Sequence, residues 1–177
     1  HTLDNGIPLY ALPNGSQDFV KLHLVFQAGS RLQAKPLQAS STNFMLREGT
    51  RRFNSAQISE KFDFYGAYLT LDIEKDFAEL ELMTTNQYFQ ETLALLEEII
   101  KYPVFSEDEL RIKMRNRKQN YLISSRKTEF IARRAFVNAL YPDHNYGMLA
   151  NEDDYDKLER QDLLNFYQRF YHRENVY

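Results

Sequence analysis

Leu69-Thr70-Leu71-Asp72-Ile73, followed by Ala78-Glu79-Leu80-Glu81-Leu82, decides the fold class. In both runs apolar and polar residues alternate, the period of a strand with one face on a core and the other in water. Glu74-Lys75 lies between them and marks a turn, so the two runs form an antiparallel hairpin. A hairpin apolar on one face asks for helices on that face alone. Upstream, Val20, Leu22, Leu24 and Phe26 alternate with Lys21, His23, Val25 and Gln27, a further half-buried strand that ends at Ala28-Gly29-Ser30. A short strand is also expected over residues 7–12, between the turns Asp4-Asn5-Gly6 and Pro13-Asn14-Gly15-Ser16.

Helical patterns fill the rest. Residues 39–48 read as a helix ending at Gly49, which suits a left-handed cap. A second helix starts near Ser55, taken as its N-cap, and runs to Tyr65-Gly66. Phe89, Leu93, Leu96 and Ile100 share one helical face, and Pro103 stops that helix. Ser106-Glu107-Asp108-Glu109 has the form of a capping box and opens a long basic helical region. That region is expected to break near Ser124-Ser125 and to end before Pro142. Residues 162–171 form a last amphipathic helix, and Asn175-Val176 looks like the entry to a strand. The order implies an α+β fold, a mainly antiparallel sheet covered by helices on one side, in a single domain over 1–177. The chain opens at His1-Thr2 without a signal-peptide pattern and stops where a strand begins. The expectation is a piece of a longer polypeptide, truncated at its last strand.

Composition narrows the chemistry. No run approaches the ~18 apolar residues of a membrane span. There is no cysteine, which rules out disulfides, thiolate metal sites and thiol catalysis. Net charge is −3, yet residues 106–140 hold nine Lys/Arg against four Asp/Glu. Such a basic stretch is ordinarily a solvated helix face. The run Arg111, Lys113, Arg115, Arg117, Lys118 has no interleaved aromatics for base stacking, which argues against nucleic acid as a partner.

The four histidines, His1, His23, His144 and His172, are far apart, so no helical His pair exists. His23 sits on the polar face of a strand, His144 in a turn and His172 at a helix end, positions that structure alone explains. Glu152-Asp153-Asp154 and Asp156 lack the spacing of a calcium loop and fit a helix N-terminus. Neither a nucleotide-binding glycine loop nor a nucleophile elbow is present.

Seven segments, in order, resemble the pitrilysin/insulinase family of zinc metallopeptidases. They are Leu3-Asp4-Asn5-Gly6-Ile7-Pro8-Leu9-Tyr10, residues 20–31 ending Ala28-Gly29-Ser30-Arg31, Met45-Leu46-Arg47-Glu48-Gly49-Thr50, and Phe64-Tyr65-Gly66-Ala67. Pro103-Val104-Phe105, residues 141–147 and residues 166–176 complete the set. The resemblance covers nearly the whole chain and implies one α/β half of a subunit. That family holds zinc with an inverted His-x-x-Glu-His helix and a downstream Glu.

Anchored on Gly49-Thr50, the resemblance puts the first His at Ser40, the catalytic Glu at Asn43, the second His at Phe44 and the downstream Glu at about Asn120. Neutral hydroxyl and amide oxygens are poor zinc ligands, an amide cannot take a proton from water, and a phenyl ring binds no metal. The expectation is therefore a pseudo-peptidase with no catalytic residue, metal or cofactor. It would form chamber wall and peptide-binding surface with an active metallopeptidase subunit, or with the second half of the same polypeptide. The alternatives are a purely structural or assembly subunit, or the inactive part of a chain whose zinc site lies elsewhere. The compartment is left open; a bacterial periplasm fits if a signal peptide has been removed.

Overall fold

The computed structural model describes residues 1–13 and 17–176. Its sheet consists of β1 (Phe19–Phe26), β2 (Tyr68–Ile73) and β3 (Ala78–Thr85), in the order β1-β3-β2 with both pairings antiparallel. Leu22 pairs with Leu82 and Leu24 with Leu80; on the other side Leu69 meets Leu82 and Leu71 meets Leu80. These leucines form the inner face. The outer face carries Lys21, His23, Glu79 and Glu81, linked diagonally by Lys21–Glu81 at 2.7 Å and His23–Glu79 at 3.0 Å. The alternation read from the sequence is thus the pleat itself.

Seven helices follow the numbering α1 (Gln38–Met45), α2 (Ser55–Phe64), α3 (Phe89–Lys101), α4 (Glu107–Ser124), α5 (Thr128–Leu140), α6 (Asp154–Lys157) and α7 (Arg160–Phe170) among the described residues. Leu95, Leu96 and Ile99 of α3 are buried with Leu80 and Leu82 of β3, Met45 at the end of α1 and Leu46 just after it, and Leu163 and Phe166 of α7 in one core. The basic region breaks where expected, between Ser124 and Thr128. Ser106 caps α4 by accepting from the Glu109 N–H at 3.5 Å, one half of the expected box.

Three local expectations are corrected. The strand over 7–12 does not form: Thr2 and Pro8 make a single bridge, while Tyr10 and Leu12 stay 83% and 91% exposed. Beyond that bridge, residues 7–12 pair with no strand of the sheet among the described residues, so those apolar side chains gain no covered face. The turn placed at 13–16 falls mostly outside the described residues. The N-cap of α2 is Asn54, not Ser55: its side chain accepts from Gln57 N–H at 2.9 Å and Gln57 returns the bond to Asn54 N–H at 3.0 Å. Gly49 is not a left-handed helical cap, since α1 ends in a 3-10 turn (Leu46–Glu48) and Gly49 sits at φ 151°, ψ 143°, a positive-φ conformation that side chains rarely adopt. The left-handed glycine is Gly66, φ 59°, which closes α2 with Gly66 N–H to Asp63 O at 3.1 Å and Ala67 N–H to Phe62 O at 2.9 Å.

The corner after β1 locks to the β2–β3 turn. Gly29 N–H donates to Asp76 O at 3.0 Å, Ser30 N–H to Glu74 O and Arg31 N–H to Lys75 O, each at 2.9 Å. Arg31 pairs with the Asp76 carboxylate, to which the Tyr146 hydroxyl also donates at 2.7 Å. The Tyr146 hydrogen bond first, then Arg31, hold that carboxyl below the usual range against a desolvation acting the other way. A Cβ on Gly29 would lie 2.2–2.5 Å from Asp76 backbone atoms. Gly29→Ala is therefore expected to lower the unfolding free energy by about 1–3 kcal/mol in urea melts. A change within about 0.5 kcal/mol, the scale of a neutral surface substitution, would show that the corner opens freely.

Candidate functional site

Helix α1 is unusual among the helices in being buried through its polar side chains. Gln38, Ser41, Thr42 and Asn43 are all buried with Ala39 and Met45. Each polar group has a partner, as burial demands. Thr42 donates to Gln38 O at 2.9 Å within the helix, and the Gln38 amide donates to Asp162 O of α7 at 2.8 Å. Asn43 joins three elements: its amide donates to Asp72 O of β2 at 2.6 Å, and its side-chain oxygen accepts the Tyr171 hydroxyl at 3.1 Å. Burial pushes the Tyr171 phenol above its ordinary range.

The opposite side of α1 faces α4. Arg117 donates to Ser40 Oγ and to Ser41 Oγ, each at 3.0 Å, and its guanidinium carbon lies 5.0 Å from the centre of the Phe44 ring. Ser40 and Phe44 are one turn apart on α1, so a single cation touches both. Desolvation lowers the guanidinium's pKa from its ordinary value, and the nearby Tyr155 phenol acts weakly the other way. Among the described residues no carboxylate lies within ion-pairing distance of Arg117; its neighbour Lys118 takes Asp156 at 2.5 Å and Glu152 at 3.7 Å.

Of the four positions singled out from the sequence, Ser40 and Phe44 meet at Arg117. Asn43 points away, into the core. Asn120 is exposed one turn further along α4, beside Arg117 in a cavity of about 420 Å³. The cavity is also lined by Tyr121, Ser124, Phe130, Arg134, Ala150 and Tyr155. Tyr121 packs on Phe130 and Tyr155 at ring separations of 5.7 and 5.4 Å, and Arg134 covers both Tyr121 and Phe130. Sequence reasoning missed Arg117 and Tyr171. The available signal was spacing: Arg117 precedes Asn120 by three, hence shares its helical face, but it lay inside a run read as solvated charge.

A hydroxyl, a phenyl ring, an exposed amide and a guanidinium cannot hold Zn²⁺, which needs imidazole, thiolate or carboxylate. No cluster of three or more His, Cys, Asp or Glu able to hold a metal occurs among the described residues. His23 pairs with Glu79, His144 accepts from Tyr146 N–H at 3.1 Å, and the His172 ring contacts Arg169 O at 3.0 Å. The acidic segment builds α6, with Asp154 accepting from Asn151 N–H at 2.8 Å.

No protein-family model matches the sequence. A curated protein of Rickettsia felis, named an uncharacterized zinc protease, is 21% identical over 179 residues, covering 99% of this chain and 43% of that protein. The peptidase M16 inactive domain from Pseudomonas fluorescens aligns with a TM-score of 0.84 at 24% identity, over 90% of this chain and 40% of its own. A protease from Helicobacter pylori gives 0.89 at 17% identity, over 99% of this chain and 44% of its own. The first half of the periplasmic protease PqqL from Escherichia coli gives 0.77 at 20% identity, over 99% and 40%.

The chain spans less than half the length of each of these proteins. Its fold is that of one half of an M16-type, pitrilysin-like protease chain, and one of the proteins sharing that fold is named an inactive domain. The α+β class and the family resemblance read from the sequence both hold in this sense.

Tyr171→Phe removes the donor to a buried amide oxygen and is expected to cost about 1–3 kcal/mol near neutral pH. A phenol raised on folding stabilises fully below its unfolded pKa, and that contribution is lost as pH rises beyond it. The wild-type protein therefore loses stability above pH 10, the ordinary phenol value, and Tyr171→Phe flattens that loss in melts run across pH. Equal slopes would assign the alkaline loss to other phenols, such as Tyr155 and Tyr167, which burial also raises.

Proposed function

We propose that this chain is the non-catalytic half of a zinc-peptidase-like protein, and that it forms chamber wall and peptide-binding surface rather than a cleavage site. One observation carries the reading. Where the resemblance puts two zinc-binding imidazoles, Ser40 and Phe44 instead surround the Arg117 guanidinium. A fixed cation repels Zn²⁺ as well as failing to ligate it. Asn43, at the position of the catalytic Glu, is committed to Asp72 and Tyr171 and has no basic group to offer water. Asn120, at the position of the downstream Glu, is neutral.

The peptide-binding part rests on β2. It is one of the sheet's two edge strands among the described residues, paired with β3 on one side only, while β1, the other edge, is met by Val176 at Phe26. An extended peptide adds to such an edge through main-chain hydrogen bonds and so needs little sequence specificity. The partial coverage of the relatives, together with the two-part protease PqqL, supports a second half as the partner, either in the same polypeptide or as an active subunit. An intact zinc site in that second half is compatible with this role. No helix among the described residues is long and apolar enough to cross a membrane, and the periplasmic neighbour favours a bacterial periplasm as the compartment.

The test is the zinc content of the purified 177-residue chain, untagged and dialysed, by elemental mass spectrometry. Strongly sub-stoichiometric zinc is expected. Tightly held stoichiometric zinc would overturn the assignment of Ser40, Asn43, Phe44 and Asn120 and turn attention to His23, His144 and His172.

A further inference from the structure

The cavity beside Arg117 has the makings of a site in its own right. A guanidinium has five N–H donors in a planar fork. Arg117 spends donors on Ser40 and Ser41 and stacks on Phe44, which fixes its plane and leaves donors of the fork unspent. Its charge is half-buried and meets no carboxylate among the described residues. A second guanidinium, Arg134, lines the same cavity, pinned by donating to Ala150 O at 2.8 Å and Asn151 Oδ1 at 3.0 Å. No acidic residue lines it. The rings of Tyr121, Phe130 and Tyr155 line the same cavity and pack on one another.

Two fixed cations without a carboxylate partner among the described residues, next to three aromatic rings, suit one chemistry: a carboxylate attached to an apolar group. We propose that this cavity binds the C-terminal residue of a peptide, with its α-carboxylate on Arg117 and its side chain against Tyr121, Phe130 and Tyr155. Arg–carboxylate pairing is planar and bidentate, which suits a group held in one orientation. The cavity, about 420 Å³ and open to one side, has room for a single residue of a peptide. Helix α1 lies between Arg117 and β2, touching the first through Ser40 and the Asp72 backbone of the second through Asn43. The site deepens the peptide-binding reading and rests on it: the edge holds the body of the peptide, and Arg117 reads its end.

Fluorescence anisotropy on the full-length protein tests this with three labelled decapeptides of Ala, Ser and Phe. One ends in a free carboxylate, one is amidated, and one is amidated with a single internal Glu. The free acid is expected to bind about tenfold or more tighter than either amide, the scale of one charge-assisted pair. Arg117→Gln should abolish that preference. Asn120→Glu, an exposed change that places a competing carboxylate one turn from Arg117, should abolish it with the fold intact, which guards against a misfolded Arg117→Gln. Equal binding of acid and amide, or a preference that survives Asn120→Glu, would overturn the carboxylate site while leaving peptide binding standing. An internal-Glu peptide as tight as the free acid would overturn the chain-end assignment. Failure of all three peptides to bind would remove the peptide-binding reading along with the site.

Discussion

The structure depends on satisfying one short helix whose polar side chains are buried. Helix α1 lies between the sheet edge, α7 and α4, with Ser41, Thr42 and Asn43 at 0–1% exposure. Buried hydroxyls and amides are tolerated only when paired, and an unpaired one costs about 1–3 kcal/mol. The pairing is therefore also the architecture. Asn43 ties α1 to Asp72 of β2 and to Tyr171 after α7, Gln38 ties it to Asp162, and Ser40 and Ser41 tie it to Arg117 of α4. A metal-binding helix would be held from one face by its ion. Here side-chain hydrogen bonds do that work, with a guanidinium where the resemblance would put a dication.

A guanidinium at this place has its own electrostatic logic. Zn²⁺ gathers ligands that carry lone pairs or negative charge. A guanidinium has only donors to give, so its neighbours must be oxygens or a π face. Ser40, Ser41 and Phe44 meet that requirement, as two histidines and a glutamate would meet the metal's. The residues at these positions are thus consistent among themselves, forming a polar site of another kind.

How much of this could be read in the chain differs by element. The hairpin was legible because period-two alternation in Leu69–Ile73 and Ala78–Leu82 directly encodes which face is buried. The stop between α4 and α5 was legible as Ser124-Ser125, and Gly66 as a helix end. The strand over 7–12 was not, because a strand is defined by its partner, and local alternation says nothing about which edge is free. Asn54 caps α2 in place of Ser55 because the reciprocal bond with Gln57 decides, and Ser55 has no such partner three residues on. At the site, Ser40, Asn43, Phe44 and Asn120 came from resemblance. In the sequence Arg117 is one of five basic residues in a single run. What sets it apart from Arg111 or Arg115 is its contact with α1, a tertiary fact that helical phase alone does not supply.

The strand order β1-β3-β2 also bears on how the sheet is assembled in time. β2 and β3 are joined by a tight turn, so their ladder closes a short loop and costs little chain entropy. β1 reaches β3 only after the chain has passed through α1 and α2, so Phe26 meets Ala78 across a long loop. Non-local pairing of that kind slows folding. The hairpin is thus the kinetically accessible half of the sheet and β1 is a late arrival, docking onto an edge that already exists. The Gly29–Asp76 corner, whose backbones approach too closely for any side chain, is the latch that ends the search.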